Sequence, residues 1–418
     1  MKHNQHQEPA DRRIDTRRRS LLRMAGLLGG AGLLAGEAAS AFAAGMIELP
    51  FANGGRRLAR FPQKGSMILQ RTRPPLLETP FHVYDNRVFT PNREFFVRWH
   101  LADVPDAINV DSFRLRVHGA VSSPVELTLK ELIDGFEPVQ VAAVCQCSGN
   151  SRAFFAPRVS GGEWGNGAMG NAVWTGVRLK DVLAKAGVAS GAVQVRFNGV
   201  DKGVEPKTPD FMKSLDVDHA MNGEVMIAYA MNGQQLPLLN GFPLRLVVPG
   251  WYATYWVKML DDIEVLTKAD DNFWMKTAYL IPDTPGADMK PGQAGLKMVP
   301  INKMNTRSFI TNLHAGSVVH VKRHTLARGI AFGGDAGVAK VMFSADGGAN
   351  WQDATLGKDH GKYSFRGWET HFTPAKKGEL ALMVKAVNAD GQGQTDQPNW
   401  NPAGFMRNVI ERVSVRAV

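Results

Sequence analysis

The sequence is organised around Val141-Ala142-Ala143-Val144-Cys145-Gln146-Cys147-Ser148-Gly149-Asn150-Ser151-Arg152. The apolar first half of this stretch predicts a short buried strand, and Ser148-Gly149-Asn150 predicts the turn that ends it. Cys147 therefore lies where a strand gives way to a loop, with a cation five residues on at Arg152. A thiol in that position can be an inert packing group, a redox nucleophile or a metal ligand.

Composition excludes several classes of protein. The chain has 418 residues, 44% of them hydrophobic and 21% charged, which is typical of a globular protein with two or three domains. Two cysteines at i and i+2 of a strand lie about 6–7 Å apart, too far for an unstrained disulfide. The sequence contains no Cys-x-x-Cys-His motif for a covalent haem and no Cys-x-x-Cys pair for structural zinc.

The formal net charge is +10. A net positive charge can favour the binding of nucleic acid, an acidic protein partner or an anionic substrate. No cluster of lysine and arginine with interleaved aromatic residues follows the first 43 residues, which argues against nucleic-acid binding. An anionic substrate and an acidic partner both stay open.

The first 43 residues have the pattern of an export signal. Arg17-Arg18-Arg19-Ser20-Leu21-Leu22 precedes a short apolar run that ends near Leu34, and Ala41-Phe42-Ala43 has the form of a cleavage site. The paired arginines indicate a twin-arginine signal; the alternative is a disordered basic tail with a short helix. No segment is long and apolar enough to predict a membrane span. We therefore expect a soluble periplasmic protein that starts near Ala44.

The rest of the sequence predicts two domains. Residues 44–290 mix strands with short helices, which favours an α+β domain. Thr128 and Glu131 form a capping-box pattern before a helix over 129–134, and a helix over 179–186 should end at Gly187. After the Pro- and Gly-rich linker at 281–286, short strands alternate with turns. Residues 291–418 therefore predict an all-β, immunoglobulin-like sandwich.

Seven stretches of the chain, in this order, resemble the sulfite oxidase family of molybdenum enzymes. They are 95–100, 146–152, 162–168, 240–245, 257–258, 273–279 and 400–404. The bacterial branch, whose molybdenum subunit passes electrons to a cytochrome c, looks most similar. The resemblance implies a molybdopterin-binding catalytic domain at 44–290, a dimerisation domain at 291–418 and a molybdenum–molybdopterin cofactor.

The same resemblance assigns a role to individual residues. Cys147 would be the protein ligand of molybdenum, and a soft thiolate suits that metal. Five residues would form the oxyanion pocket: Arg98, Arg152, Trp164, Tyr279 and, from the second domain, Arg366. The cofactor would be held by Phe96, Val97, Arg98, His100, Asp201, Asn240, Arg245, Trp256, Val257 and Lys258.

Plainer explanations compete with several of these assignments. Arg98 can form a strand-edge salt bridge, His100 can be a satisfied core histidine, and the most economical role for Cys145 is packing. The animal enzymes have a histidine where this chain has Asn240. That substitution keeps a hydrogen bond but removes an ionisable group.

The implied reaction is the oxidation of sulfite to sulfate, with electrons passing to a c-type cytochrome or haem subunit. Close relatives leave two other substrates open: a sulfane sulfur in thiosulfate oxidation, or a sulfoxide that is reduced. A non-catalytic, exported binding module is the alternative from another class. The sequence does not choose between a homodimer and a heterodimer with a cytochrome.

Overall fold

The structure is a computed structural model that describes residues 46–48 and 54–418. The expected export signal at 1–43 lies outside these residues. Residues 47–418 form one compact unit, so the domain boundary expected at 290 stays a prediction. Within the described part, no helix combines the length and the apolar character needed to cross a bilayer.

Strands dominate the described residues, and the α-helices are short. The strands are β1 Met46–Glu48, β2 Gly55–Ala59, β3 Met67–Arg71, β4 Leu76–Glu78, β5 Val97–Arg98, β6 Leu115–Gly119, β7 Val125–Leu127, β8 Pro138–Gln146, β9 Met169–Arg178, β10 Gln194–Gly199, β11 Lys213–Asp216, β12 Met226–Met231, β13 Gln234–Gln235, β14 Arg245–Val247, β15 Leu260–Leu266, β16 Leu280–Pro282, β17 Met298–Pro300, β18 Arg307–Ile310, β19 Val318–Val319, β20 Thr325–Phe332, β21 Val338–Ser344, β22 Gln352–Asp353, β23 Thr355–Leu356, β24 Arg366–Phe372, β25 Gly378–Asn388 and β26 Glu411–Ala417. The helices are α1 Leu129–Gly135, α2 Leu179–Ala186, α3 Val217–Met221 and α4 Phe273–Lys276.

The first region, residues 54–290, contains three larger sheets. Their strand orders are β2-β3-β4-β5, β11-β10-β15-β6-β7 and β13-β12-β9-β8, with β14 also paired to β12. β15 runs parallel to β6, whereas β8 and β9 pair antiparallel along nine residue pairs from Pro138↔Val177 to Gln146↔Met169. The expected α+β class is therefore confirmed only in part, because strands far outweigh helices.

Both predicted helices form for the reasons given by their sequences. The Thr128 hydroxyl accepts a hydrogen bond from the Glu131 amide, and the Glu131 carboxylate accepts one from the Thr128 amide, which confirms the capping box before α1. α2 ends at Gly187, whose φ of 71° is a left-handed conformation that glycine adopts without a steric penalty. The buried residues of α2, Leu179, Val182, Leu183 and Ala186, lie on one face.

The second region, residues 291–418, is built mainly from two sheets. Their strand orders are β18-β20-β24-β23 and β19-β26-β25-β21-β22. Apolar residues from both sheets form one buried cluster that includes Ala327, Val341, Trp368, Leu382 and Val415. Two sheets packed over a shared core form a sandwich. The finer expectation, an immunoglobulin-like topology, stays a prediction.

The two regions also share apolar packing. The largest buried cluster contains Val144 of β8 together with Phe309, Ile330 and Phe365 of the second region. The Val144 amide donates a hydrogen bond of 2.8 Å to the Tyr363 carbonyl oxygen. The second region therefore packs against β8, the strand that leads to Cys147.

Candidate active site

One cavity brings many of the predicted site residues together. Its lining comes from β5 and the residues on both sides of it, the residue after β8, the first residue of β14 with the turn before it, the loop at 253–258 and Tyr279. The lining residues are Phe96, Arg98, His100, Cys147, Leu239, Asn240, Arg245, Ala253, Thr254, Lys258 and Tyr279.

Cys147 follows the last residue of β8, and its thiol side chain is only 7% exposed. Its amide donates a hydrogen bond of 2.9 Å to the Ala168 carbonyl oxygen, and its carbonyl accepts one of 2.9 Å from the Asn150 amide. The Asn150 side chain accepts a further hydrogen bond from the Ala168 amide at 2.9 Å. The loop is thus closed at its base, which fixes the direction of the thiol relative to β8 and β9.

Cys145 lies in the core beside the site. The Arg245 guanidinium donates a hydrogen bond of 3.2 Å to the Cys145 sulfur. Burial raises the pKa of the Cys145 thiol to about 11, although Arg245 and Lys258 act in the opposite direction. Cys145 is therefore a neutral thiol near pH 7, in keeping with the packing role expected for it.

Arg98, His100 and Tyr279 form a hydrogen-bonded group in the cavity wall. The Arg98 guanidinium donates a hydrogen bond of 3.0 Å to the Tyr279 hydroxyl, and that hydroxyl lies 2.5 Å from Nε2 of His100. Burial and the nearby Arg98 hold the pKa of His100 well below its usual range, so the ring is neutral. Burial also raises the pKa of the Tyr279 phenol. A protonated phenol that accepts from Arg98 donates to Nε2, which leaves the proton of His100 on Nδ1.

The backbone at Tyr279 is strained, and its neighbours hold the ring in place. The φ angle is 59°, a left-handed conformation that costs a bulky residue on the order of 1–3 kcal/mol. Phe405 stacks on the ring with a centroid distance of 5.2 Å and an interplanar angle of 3°. His100 is stacked in turn on Phe211 at 3.5 Å. These contacts leave little freedom for the phenol, as a binding group requires.

Buried cations surround the cavity. Burial, reinforced by Arg245, lowers the pKa of Lys258 to about 7 and holds that of Lys64 well below its usual range. Burial also lowers the pKa of Lys213 to about 7. The carboxyl group of Asp201 lies near Lys258, and burial raises its pKa to about 6. Such a surplus of buried positive charge is costly unless an anion occupies the space.

Lys64 ties two walls of the cavity together. Its ammonium donates to the carbonyl oxygens of Asn92 at 2.8 Å and Phe95 at 2.9 Å, and to the side-chain oxygen of Asn240. The Asn240 amide nitrogen then donates to the Phe96 carbonyl oxygen at 3.0 Å. Three acceptors require three N–H donors, so this geometry fits the charged form of Lys64.

The residues of the cavity fit a molybdenum–molybdopterin group. Nδ1 of His100 and Nε of Arg245 are buried and have no hydrogen-bond partner among the described residues. Both could donate a hydrogen bond to a bound ligand. Lys258 and Arg245 supply positive charge for a phosphate. The thiol of Cys147 is a suitable ligand for a soft metal.

Family models and relatives match this chain along most of its length. The oxidoreductase molybdopterin binding domain matches residues 100–274, and the Mo-co oxidoreductase dimerisation domain matches residues 298–418. Sulfite oxidase from Arabidopsis thaliana is 30% identical over 378 residues, which cover 85% of this chain and 95% of that protein. The chain belongs to the sulfite oxidase family of molybdenum enzymes.

Two further proteins are similar to this chain, one in sequence and one in fold. Mitochondrial sulfite oxidase from Rattus norvegicus is 34% identical over 374 residues, which cover 84% of this chain and 66% of that protein. The match therefore spans somewhat less than two thirds of the rat protein's length. The crystal structure of the sulfane dehydrogenase SoxCD from Paracoccus pantotrophus has the same fold, with a TM-score of 0.68, 22% identity and 96% coverage of both chains.

Arg152 does not line the cavity, but its buried guanidinium lies close enough to Cys147, Tyr279 and Arg98 to interact with them electrostatically. Its Nε donates to the Ala403 carbonyl oxygen at 3.1 Å, and its Nη1 donates to the Gly162 carbonyl oxygen at 2.9 Å. A Cβ atom on Gly149 would lie only 2.3 Å from Nη2 of Arg152. A side chain at position 149 would therefore displace the guanidinium of Arg152.

Some of the predicted site residues support the cavity rather than line it. Trp164 is fully buried, and its carbonyl oxygen accepts from the Ala153 amide. Trp256 packs near Arg245, whose guanidinium carbon lies 5.8 Å from the centre of the indole ring. Three other predicted cofactor residues are buried and do not line the cavity: Val97, Val257 and Asp201.

The role predicted for Arg366 in the oxyanion pocket stays a prediction, and its side chain does not line the cavity. It is the first residue of β24, and its guanidinium forms an ion pair with Asp359. The short motif at 365–368 placed it in the pocket by resemblance alone. The second region does reach the site, but through the segment at 399–406.

Six residues at or near the site were missed by sequence reasoning: Leu239, Ala253 and Thr254 line the cavity, and Lys64, Lys213 and Phe405 contact residues that line it. Lys64 and Lys213 come from segments without a recognisable motif. Phe405 directly follows the stretch 400–404 that carried part of the resemblance. An aromatic residue beside a matched loop was the one available signal.

Proposed function

We propose that this protein oxidises sulfite to sulfate in the periplasm and passes the electrons to a c-type cytochrome. The reaction takes sulfite and water to sulfate, two protons and two electrons. The molybdenum centre would supply the two-electron redox chemistry. The observation that carries the proposal is that Cys147, Arg98, His100 and Tyr279 line one cavity in a chain of the sulfite oxidase family.

The side chains have separate tasks in this proposal. Arg98 offers a permanent positive charge to a small oxyanion, and its planar guanidinium can donate two parallel hydrogen bonds. Tyr279 offers a hydroxyl whose direction is set by Arg98 and His100. Lys258 and Arg245 would hold the anionic part of the cofactor. Cys147 would anchor the metal at the end of β8.

The acceptor and the location are supported by the sequence. The twin-arginine pattern at 17–43 favours export, and an exported enzyme of this kind needs an electron acceptor on the same side of the membrane. The match to a dimerisation domain at 298–418 supports self-association. A heterodimer with a haem subunit is the other assembly that the proposal allows.

The test is sulfite-dependent reduction of cytochrome c by the purified, cofactor-loaded protein. Cys147→Ser serves as the control, because serine has nearly the same size but offers a poor ligand for a soft metal. We expect turnover by the wild type and a loss of at least about 100-fold in the variant. A loaded wild type that does not reduce cytochrome c with sulfite would refute the proposal.

A second candidate is the oxidation of a carrier-bound sulfane sulfur. The observation that favours it is the position of Arg366 outside the cavity, together with the two backbone carbonyls that already engage Arg152. A pocket with fewer free guanidinium donors discriminates less strongly in favour of a free oxyanion. Parallel assays with sulfite, a protein persulfide and methionine sulfoxide separate the candidates by their kcat/KM values.

A further inference from the structure

Residues 399–406 of the second region make several independent contacts with the site. The Met406 amide donates a hydrogen bond of 3.1 Å to the Ser148 carbonyl oxygen, next to Cys147. The Ala403 carbonyl oxygen accepts from Nε of Arg152 at 3.1 Å. The segment therefore touches both the cysteine loop and a predicted anion-binding arginine.

Phe405 is at the centre of this segment. Its ring stacks on Tyr279 at 5.2 Å, and the guanidinium carbon of Arg152 lies 5.3 Å from the centre of the same ring. One side chain thus contacts two residues that the proposed function assigns to the oxyanion. A flat aromatic face is suited to both neighbours, because it stacks on a phenol and attracts a guanidinium.

The backbone around Phe405 is held in an unusual shape. Gly404 and Met406 have φ angles of 59° and 63°, and the Phe405 amide donates to the Asn401 side chain at 3.0 Å. The Phe405 carbonyl oxygen accepts from the side-chain amides of Asn399 at 3.2 Å and Asn401 at 2.9 Å. A strained backbone that is over-determined by side-chain hydrogen bonds is typical of segments that present a functional group.

Space is tight where this segment meets Arg152. A Cβ atom on Gly404 would lie 2.8 Å from Cγ of Arg152 and 2.5 Å from Cγ2 of Val159. Residue 404 must therefore be glycine for two reasons, its φ angle and the close approach of Arg152. The segment at 399–406 and Arg152 are therefore closely packed against each other.

We propose that Phe405 is a positioning residue for the substrate oxyanion. It holds the Tyr279 phenol and the Arg152 guanidinium in fixed directions, so the second region shapes the site as well as the dimer. This inference rests on the proposed function, in which Tyr279 and Arg152 bind the anion. It gives the second region a role in the site that is separate from the one predicted for Arg366.

The test compares four variants of the cofactor-loaded protein with the wild type. Phe405→Leu removes the flat face and keeps an apolar side chain, whereas Phe405→Tyr keeps the face. Phe372→Leu is the matched control, because Phe372 is also 7% exposed and packs on Phe343 at 5.5 Å in the core of the second region. Phe405→Met provides a second disruptive variant in case Phe405→Leu does not fold.

Two measurements distinguish a positioning role of Phe405 from a merely structural one. The first is the KM for sulfite and the dissociation constant for sulfate by calorimetry. We expect about a tenfold increase in both for Phe405→Leu, with kcat changed by less than about threefold. The second is nitration of Tyr279 by tetranitromethane, located by peptide mass spectrometry, which we expect to become several-fold faster in the same variant. Phe405→Tyr and Phe372→Leu should resemble the wild type in both readouts.

The inference fails if Phe405→Leu binds sulfate and nitrates at Tyr279 as the wild type does, or if Phe372→Leu changes both readouts equally. A wild type that neither oxidises sulfite nor binds sulfate would refute the proposed function instead. The nitration rate would then still decide whether Phe405 holds Tyr279.

Discussion

The charge of Lys213 gives a prediction whose size follows from the structure. Lys213 begins β11 and has no exposed surface. Its ammonium donates a hydrogen bond of 2.7 Å to the Trp274 carbonyl oxygen and lies 4.6 Å from the centre of the Tyr255 ring. Burial lowers the pKa from 10.5 to about 7, although Asp270 acts in the opposite direction. The perturbation is Lys213→Met, which keeps the length of the side chain and removes the charge.

The sign of the effect follows from proton linkage. Between pH 7 and 10.5 the unfolded chain binds more protons at this lysine than the folded chain, so the folded state gains stability as the pH rises. At pH 7 the buried lysine costs on the order of 4 kcal/mol, because its pKa falls from 10.5 to about 7 at 1.36 kcal/mol for each pH unit and half of the folded molecules are already deprotonated. Methionine removes that cost and loses one hydrogen bond of about 1 kcal/mol. The variant should therefore be about 3 kcal/mol more stable at pH 7, and nearly equal to the wild type at pH 10.

The assay is urea unfolding of cofactor-free protein at pH 7 and pH 10, with the free energy of unfolding as the result. Lys297→Met is the control, because Lys297 is exposed and forms an ion pair with Asp283. The control should change stability by less than about 0.5 kcal/mol at either pH. If the difference between Lys213→Met and the wild type is the same at both pH values, the reasoning about buried charge is wrong.

Three further predictions concern the site. Cys147→Ser should be purified with less than about a tenth of the wild-type molybdenum per chain; a full metal content in metal analysis would contradict its role as ligand. Lys64→Met should retain several-fold less molybdopterin after gel filtration, since Asn240 loses the partner that orients it; equal pterin fluorescence would count against this. Gly149→Ala should raise the KM for sulfite about tenfold, because its Cβ displaces Arg152. Gly191→Ala, with nothing within 4 Å of its Cβ, should leave that KM unchanged.

The sequence predicted the parts of the fold that local chemistry decides. The apolar run at 141–146 is a buried strand, and the turn after Cys147 forms where Ser148-Gly149-Asn150 placed it. The capping box of α1 and the glycine end of α2 also form as predicted. In each case the interacting groups are neighbours in sequence, so a short motif contains all the information that the structure needs.

The missed residues depend on contacts that no local pattern contains. Lys64 comes from a segment rich in Pro and Arg without periodicity, and it hydrogen-bonds to residues 28 and 176 positions away. A buried lysine is also among the least expected core residues. For Arg366, the short motif at 365–368 could not predict where the side chain lies in space. Its Asp359 partner, seven residues earlier, gave no sign that the side chain is engaged there.

The apolar packing shared by β8 and the second region has a consequence for the ancestry and handling of this protein. Phe309, Ile330 and Phe365 belong to the same buried cluster as Val144, so a chain cut near residue 290 would leave one side of that cluster open to water. We expect such a fragment to aggregate rather than to behave as an independent catalytic module. Gene fusions or splits at this linker should therefore be rare, and exchange between relatives should transfer both regions together.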